Sequence, residues 1–343
     1  MDDRQIVADV IVVGGGPAGS AAAIACATRG LRVVLFERDR FARERPGETL
    51  HPGIEPLLGQ LGIGDHLSSV VGARHKGIWI EWGGPRRFEP FGNDSAGPWS
   101  GFQVQRTEFD ALLLRRAREA GVALHQPCAV TGLLSHDGLV RGVMTATGSV
   151  TAAVIIDATG RTRWLARALA IPSPSRSPRL IARYGYATGS CPARDDAPAL
   201  IGDATGWTWT AMVRPQVYQW THISFDKVQP DPDWMPEEFH SLTPLGRSKG
   251  ADVTWRLTSE VARPGWFMVG DAAALLDPTS SHGVLKAIMS GIMAGHLAAA
   301  VIVGRVPADA AACAYADWVA GWFAADAARL AQFYGGLGVA GFG

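Results

Sequence analysis

The sequence predicts an α/β fold: a Rossmann-type βαβ unit at the N-terminus, an antiparallel sheet inserted later, and helices that close the chain. Three observations carry that expectation. A β-branched run followed by a glycine-rich turn opens the chain, a middle region rich in tryptophan and tyrosine alternates like strands, and the last part is alanine-rich and helical.

In the opening unit, residues 10–13 are all Val or Ile, which suits a strand buried on both faces. Gly14, Gly16 and Gly19 follow in G-x-G-x-x-G spacing, with Pro17 and Ala18 opening a helix. Missing side chains permit a tight turn and a backbone close to a pyrophosphate, and the helix N-terminus offers N–H groups to that anion. A second strand, 31–36, ends at Glu37, near the roughly 20-residue spacing at which an acid meets an adenosine ribose. The context of strand, turn, helix and acid together predicts a dinucleotide site.

The bulk numbers exclude other classes. The 343 residues are 47% hydrophobic and 19% charged with formal net charge zero, so no electrostatic case exists for nucleic acid or an anionic membrane. Cys26, Cys128, Cys191 and Cys313 form no C-x-x-C pair, so neither a metal site nor a disulfide framework is expected. The first residues lack a secretory pattern, which makes a cytoplasmic enzyme the expectation. The apolar stretch 283–303 holds Lys286 and His296 and reads as a packed helix, not a membrane span.

Further along, Arg38, Arg40, Arg43 and Arg45 alternate with acids, as in a solvated loop with one or two phosphate contacts. The loop 43–63 carries Pro46-Gly47 and Pro52-Gly53 and brings Glu48 and His51 toward the dinucleotide; equally, Glu48 reads as a cap of the next helix. Residues 70–91 alternate, with Trp79 and Trp82 on opposite strand faces. Residues 107–120 form a helix with Thr107 as N-cap and Gly121 as its stop, and Arg106 lies just ahead. A hairpin turns at His136-Asp137-Gly138, and the strand 151–157 ends at Asp157 before Gly160.

The Pro- and Ser-rich segment 171–179 reads as a linker. Strands then place Tyr184 with Tyr186, and Trp207 with Trp209, on shared faces. Any one such ring is most simply core, yet six of the 12 tryptophans fall between residues 207 and 266. A strand at 266–270 leads to Asp271 and the turn DPTSSHG, Pro278, Ser281, His282 and Gly283 among it, which puts N–H groups and the positive end of the helix from Val284 where a polarised ring oxygen could sit. Residues 307–334 are helical, and the glycine-rich tail is expected to fray.

Together GGGPAG with Glu37, the RPGE loop, QRTEFDALLLRRA, IIDATG and VGDAAALLDPTSSHG resemble the FAD-dependent monooxygenases of the p-hydroxybenzoate hydroxylase fold. The likeness is greatest to the branch of flavin-dependent halogenases and tryptophan-modifying hydroxylases. It implies a glutathione-reductase-like FAD-binding domain from 1–70, 100–170 and 262–306, a substrate sheet from 71–99 and 171–261, and a helical segment 307–343. It also implies that Gly14, Gly16, Pro17, Ala18 and Gly19 wrap the FAD pyrophosphate and that Glu37 holds the ribose. Arg38, Arg45, Glu48, Arg106 and Asp271 would add cofactor contacts, and 278–284 would face the isoalloxazine. His51, His282 and Glu48 become candidate catalytic groups, and His75, Lys76, Trp82, Tyr184, Trp207 and Trp209 candidate substrate contacts.

The chemistry implied is FAD reduction by NAD(P)H or a separate flavin reductase, and oxygen capture as a C4a-hydroperoxide. Hydroxylation of a phenol, an indole or a tryptophan in a peptide or partner protein then follows. Halogenation stands second, because the sequence keeps GWTWTAM but lacks the Ile-Pro of the halogenase pattern G-W-x-W-x-I-P. Where such enzymes carry a reactive lysine, alignment on Gly77, Trp82 and Gly83 puts His75, with Lys76 one place off. A geranylgeranyl-reductase-like activity is disfavoured by Pro46 where that group has cysteine, and a non-catalytic FAD-binding maturation partner is the remaining alternative.

Overall fold

The structure, a computed structural model, describes residues 6–40, 46, 48–225 and 233–342, apart from the side chains of Ile6 and Glu48. The strand Ile6–Val13 pairs in parallel with Val33–Phe36 on one side and Gly148–Asp157 on the other. Its Val10, Ile11 and Val12 are fully buried, as the all-apolar run requires of a central strand with no polar side chain to satisfy. Ala123–His125 and Trp266–Met268 extend the parallel set, and the hairpin Val130–His136 with Leu139–Thr145, together with Ala262–Arg263 antiparallel on Trp266–Met268, completes an eight-stranded sheet. Asp137 and Gly138 form that hairpin's two-residue loop with φ of 51° and 74°, the left-handed geometry Asp-Gly favours. Parallel strands therefore end together at Val13, Phe36 and Asp157, where a ligand crevice opens in such sheets.

The helix Pro17–Ala27 crosses this sheet, and Gly283–Ile302 packs on it. A Cβ at Gly291 would lie 2.2 Å from the Ala18 carbonyl oxygen, and one at Gly295 2.8 Å from Ala25 Cβ. Gly283–Ile302 is long and apolar enough to cross a membrane, and here those small residues set it against another helix.

A second eight-stranded sheet runs Thr243–Pro244, Ile181–Thr188, Val217–Ser224, Gly206–Arg214, Ala199–Asp203, Gly77–Trp82 and Arg87–Pro90, with Lys249–Asp252 also on Ile181–Thr188. It is antiparallel except where Ala199–Asp203 meets Gly77–Trp82. Val71–His75, expected in the same sheet, instead forms a three-stranded sheet with Gly101–Val104 and Glu48–Leu50. Gly72 permits this, since a Cβ there would lie 1.8 Å from the Val213 carbonyl oxygen.

Two local expectations change. The helix Arg106–Glu119 is capped by Gln105, not Thr107, because Arg106 already lies in its first turn and pairs with Asp110 one turn on. The tail does not fray: beyond the helix Ala308–Gly335 it folds back, and Phe342 stacks on Tyr334 with centroids 4.4 Å apart.

Candidate active site

One cavity of about 870 Å³ runs from the crevice at Gly14 and Glu37 to the inner face of the second sheet. At its first end Gly14 has φ of 105°, and a Cβ on it would lie 2.4 Å from the Ala158 carbonyl oxygen. A Cβ on Gly19 would meet the Gly14 carbonyl oxygen at 1.9 Å. These glycines thus bring turn, helix and strand into backbone contact. The Pro17–Ala27 helix has no side-chain N-cap, and Gly16, Pro17 and Ala18 line the cavity, so its first N–H groups suit an anion. Glu37, 2% exposed, accepts from the Gly15 N–H at 2.7 Å and the Asp39 N–H at 2.9 Å, which fixes its carboxylate on the wall. Arg106 also lines the cavity and is held by Asp110 through two bonds of 2.7 and 3.0 Å.

The far end is set by Asp271, the turn Pro278–Ser280 and the start of Gly283–Ile302. Asp277 anchors the turn: it accepts from Thr279 N–H at 2.9 Å and Trp255 Nε1–H at 2.5 Å. Burial pushes its carboxyl up from the ordinary carboxylate range. Thr279 continues to the Tyr334 hydroxyl at 2.7 Å, which accepts from Trp207 Nε1 at 3.1 Å. His282 lies on the wall with its ring 5.4 Å from that of His51. Burial lowers both imidazoles, and for His282 the neighbouring His51 adds to the shift.

An elongated space with a glycine cradle and free helix N–H groups at one end, and a second helix N-terminus at the other, fits FAD. Besides the cradle, Arg38, Asp271, Ser281, Gly283, Val284, Tyr184 and Trp209 line it, as does the deeply buried Trp207. Gly19 packs behind the lining, and Arg45 and the Glu48 side chain lie outside the described residues.

Three expected substrate contacts are elsewhere. Lys76 is exposed. Trp82 is covered by the terminal helix: it stacks on Phe333 at 3.9 Å and donates to its carbonyl. His75 is buried beneath Phe91, with Nδ1 3.2 Å from the Gly77 oxygen and Nε2 3.1 Å from Gln103. Burial pushes His75 down to about 4 from its ordinary 6.5. A lowered histidine stabilises the fold fully above 6.5, and that contribution is lost as pH falls toward 4. At 1.36 kcal/mol per pH unit this amounts to about 3 kcal/mol. Urea unfolding at pH 7.5 and 4.5 is expected to show a smaller acid loss in His75→Gln than in the unmodified protein; equal losses would refute the assignment.

The sequence reading missed Arg161, Arg163, Arg167 and Arg256, and also Lys286, Trp322 and Asp326, all of which line the cavity. The RTRWLAR run already signalled the first three. Burial lowers Arg163, with Arg256 and Arg167 adding like-charge repulsion.

Residues 9–171 match the family described as FAD dependent oxidoreductase. The chain is an FAD-dependent oxidoreductase. This oxidoreductase is 29% identical over 357 residues to a tryptophan 2-halogenase of Chondromyces crocatus, covering 95% of this chain and 67% of that protein. It is also 29% identical over 358 residues to a 1H-pyrrole-2-carbonyl-[peptidyl-carrier protein] brominase of Pseudoalteromonas luteoviolacea, covering 95% and 86%. The solved structure of the flavin-dependent brominase Bmp2 superposes with a TM-score of 0.85 over 96% of this chain and 89% of that one. At 24% identity that likeness speaks for the fold.

Proposed function

We propose that this oxidoreductase halogenates an electron-rich aromatic ring of the indole, pyrrole or phenol type, free or tethered to a peptide or carrier. The observation that carries the reading is the similarity of 95% of the chain to a tryptophan halogenase and, separately, to a pyrrole brominase. Halogenation therefore moves ahead of hydroxylation, which the sequence alone put first.

The residues divide the work along the cavity. Gly14, Gly16 and Ala18 receive the pyrophosphate of FAD, Glu37 the adenosine ribose, and Asp271 the ribityl chain. The 278–283 turn would hold the isoalloxazine ring, and the N–H groups at the start of Gly283–Ile302 would favour negative charge on a ring oxygen. When bound and reduced, by NAD(P)H or a separate reductase, FAD supplies the activation of dioxygen. Tyr184, Trp207 and Trp209 give the opposite wall flat apolar faces that hold an aromatic substrate and exclude water. His282, kept neutral near pH 7 by burial, is a candidate proton acceptor at the flavin end.

Hydroxylation stands second for a specific reason. His75 occupies the place where resemblance puts the halogenase lysine, and the adjacent Lys76 points to solvent. Mass spectrometry of tryptophan, pyrrole-carboxylate and phenol substrates after turnover with FAD, NADH, a flavin reductase, oxygen, chloride and bromide separates the readings. A halogen isotope pattern is expected. A gain of one oxygen alone would put hydroxylation first, and a gain of two hydrogens would overturn both.

A further inference from the structure

We infer that a band of arginines at the mouth of this cavity docks an acidic polypeptide, which presents the aromatic ring to be modified. The inference deepens the halogenase reading by naming what carries the substrate ring, and it rests on that reading only for the fate of the ring. Charge is segregated along the sequence. Between Asp157 and Asp195 stand seven arginines and no acidic residue, in a chain whose formal net charge is zero. Arg194 is buried and paired with Glu238, which leaves six in a single stretch from Arg161 to Arg183.

Arg161, Arg163 and Arg167 line the cavity together with Arg256, and Arg161 and Arg167 are exposed, so the cavity opens to solvent beside them. The band continues outward. Ser175 pairs with Arg256 and the Arg176 N–H donates to the Trp255 carbonyl at 2.8 Å, which sets exposed Arg176 next to half-buried Arg256. Arg179, also exposed, acts on Asp252 of the cavity wall: burial raises that carboxyl, but Thr254, Arg256 and Arg179 together hold it below its ordinary value. Among the described residues Arg163, Arg167, Arg176 and Arg179 form no ion pair closer than the charges of Asp252 and Asp271 that face the band. Arg161 and Arg256 donate to the carbonyls of Asp252 and Ser173, each at 3.0 Å. Burial lowers Arg163, and Arg256 and Arg167 repel it further, so an arriving anion relieves a repulsion already built into the wall.

The band suits carboxylates better than a nucleotide phosphate. A phosphate site draws on free N–H groups at a helix start, and those at the start of Trp164–Ala168 are taken. The Trp164 N–H donates to Thr159 Oγ1 at 3.0 Å, the Leu165 N–H to the Asp157 carboxylate at 2.8 Å, and the Arg163 N–H to the Gly160 carbonyl at 2.9 Å. Guanidinium groups remain, and each takes a carboxylate through two parallel N–H bonds. A free amino acid inside the cavity would bring one carboxylate and leave the exposed Arg167, Arg176 and Arg179 without a partner. A polypeptide with several Asp or Glu beside an aromatic residue meets the whole band, while its ring passes inward to Tyr184, Trp207 and Trp209.

Peptide binding to the FAD-loaded protein tests the band without turnover. Two fluorescein-labelled peptides with one central tryptophan serve as probes, the first flanked by aspartate and glutamate, the second by asparagine and glutamine. By fluorescence anisotropy the acidic peptide is expected to bind at least about tenfold more tightly than the neutral one at about 50 mM salt, and to lose that advantage at about 500 mM. Arg176→Glu combined with Arg179→Glu is expected to cut the preference at least about fivefold and to raise KM for the acidic peptide at unchanged kcat, while FAD affinity and turnover of free tryptophan hold. The salt titration of the native protein serves as the test if the charge-reversed protein does not fold. Equal binding of the two peptides at low salt overturns the inference. NADPH oxidation that depends on the same two arginines, with peptide binding indifferent to their reversal, would assign the band to the reductant's phosphates and overturn it as well. Salt-sensitive binding of the acidic peptide with no halogenated product upholds the docking band and removes the halogenase reading; halogenation of free tryptophan without that binding does the reverse.

Discussion

Gly19→Ala is expected to yield protein that binds FAD at least about 100-fold more weakly and melts at lower temperature. The added Cβ would sit 1.9 Å from the Gly14 carbonyl oxygen and 2.9 Å from Ala158 Cβ. Neither obstacle is the end of a flexible side chain, so the helix Pro17–Ala27 must lift off its strand or the turn at Gly14 must open. Either movement displaces the N–H groups aimed at the pyrophosphate. The lift also spreads, because Gly291 lies against Ala18 and Gly295 against Ala22 and Ala25, so Gly283–Ile302 and its cavity-lining start shift too. Overpacking of this kind costs about 1–3 kcal/mol and more where backbone is the obstacle. Gly59→Ala is the control: it lies in the short helix Glu55–Gln60 and a Cβ there meets nothing within 4 Å. Flavin titration and thermal unfolding of both variants check the expectation, and native-like FAD affinity in Gly19→Ala would refute the cradle.

How far the sequence reveals the site depends on how local the chemistry is. The glycine turn, Glu37 and the Asp137-Gly138 hairpin are legible because backbone conformation and spacing within a few residues dictate them. The turn before Gly283 is legible for the same reason. Trp82 shows the limit: alternation puts it on a strand face, but its partner Phe333 is 251 residues away and decides that the face is covered. Lys286 shows it again. In the sequence it is one cation in an apolar helix, and only the register of that helix against the terminal one sets it beside Trp322 and Asp326. His75 reads as a polar residue at an aligned substrate position, yet the strand Val71–His75 leaves the large sheet and takes the imidazole into the interior.

Asp277→Ala is expected to destabilise the protein by about 2–5 kcal/mol and to impair FAD retention. The carboxylate lies at a junction: Trp255, just after the strand Lys249–Asp252, donates to one oxygen, while the backbone N–H and hydroxyl of Thr279, within the Pro278–Ser280 turn, donate to the other. Truncation leaves the Trp255 and Thr279 N–H groups buried without acceptors, at about 1–3 kcal/mol each. Relief of carboxylate burial works against this. Because burial raises this carboxyl, the fold favours its neutral form, and that contribution is present below the ordinary 3.8 and lost as pH rises through the raised value. At neutral pH the donors must therefore offset the cost of burying the charge. Asp277→Asn separates the two effects. It removes the charge and keeps an acceptor for Thr279, but its amide presents N–H to Trp255 N–H, so a loss of about 1–3 kcal/mol remains expected. The perturbation reaches the substrate wall through Thr279, Tyr334 and Trp207. Urea unfolding and flavin release are thus expected to worsen together in Asp277→Ala, and affinity for the proposed aromatic substrate with them. A stability loss with native flavin and substrate binding would show that the junction supports the fold alone.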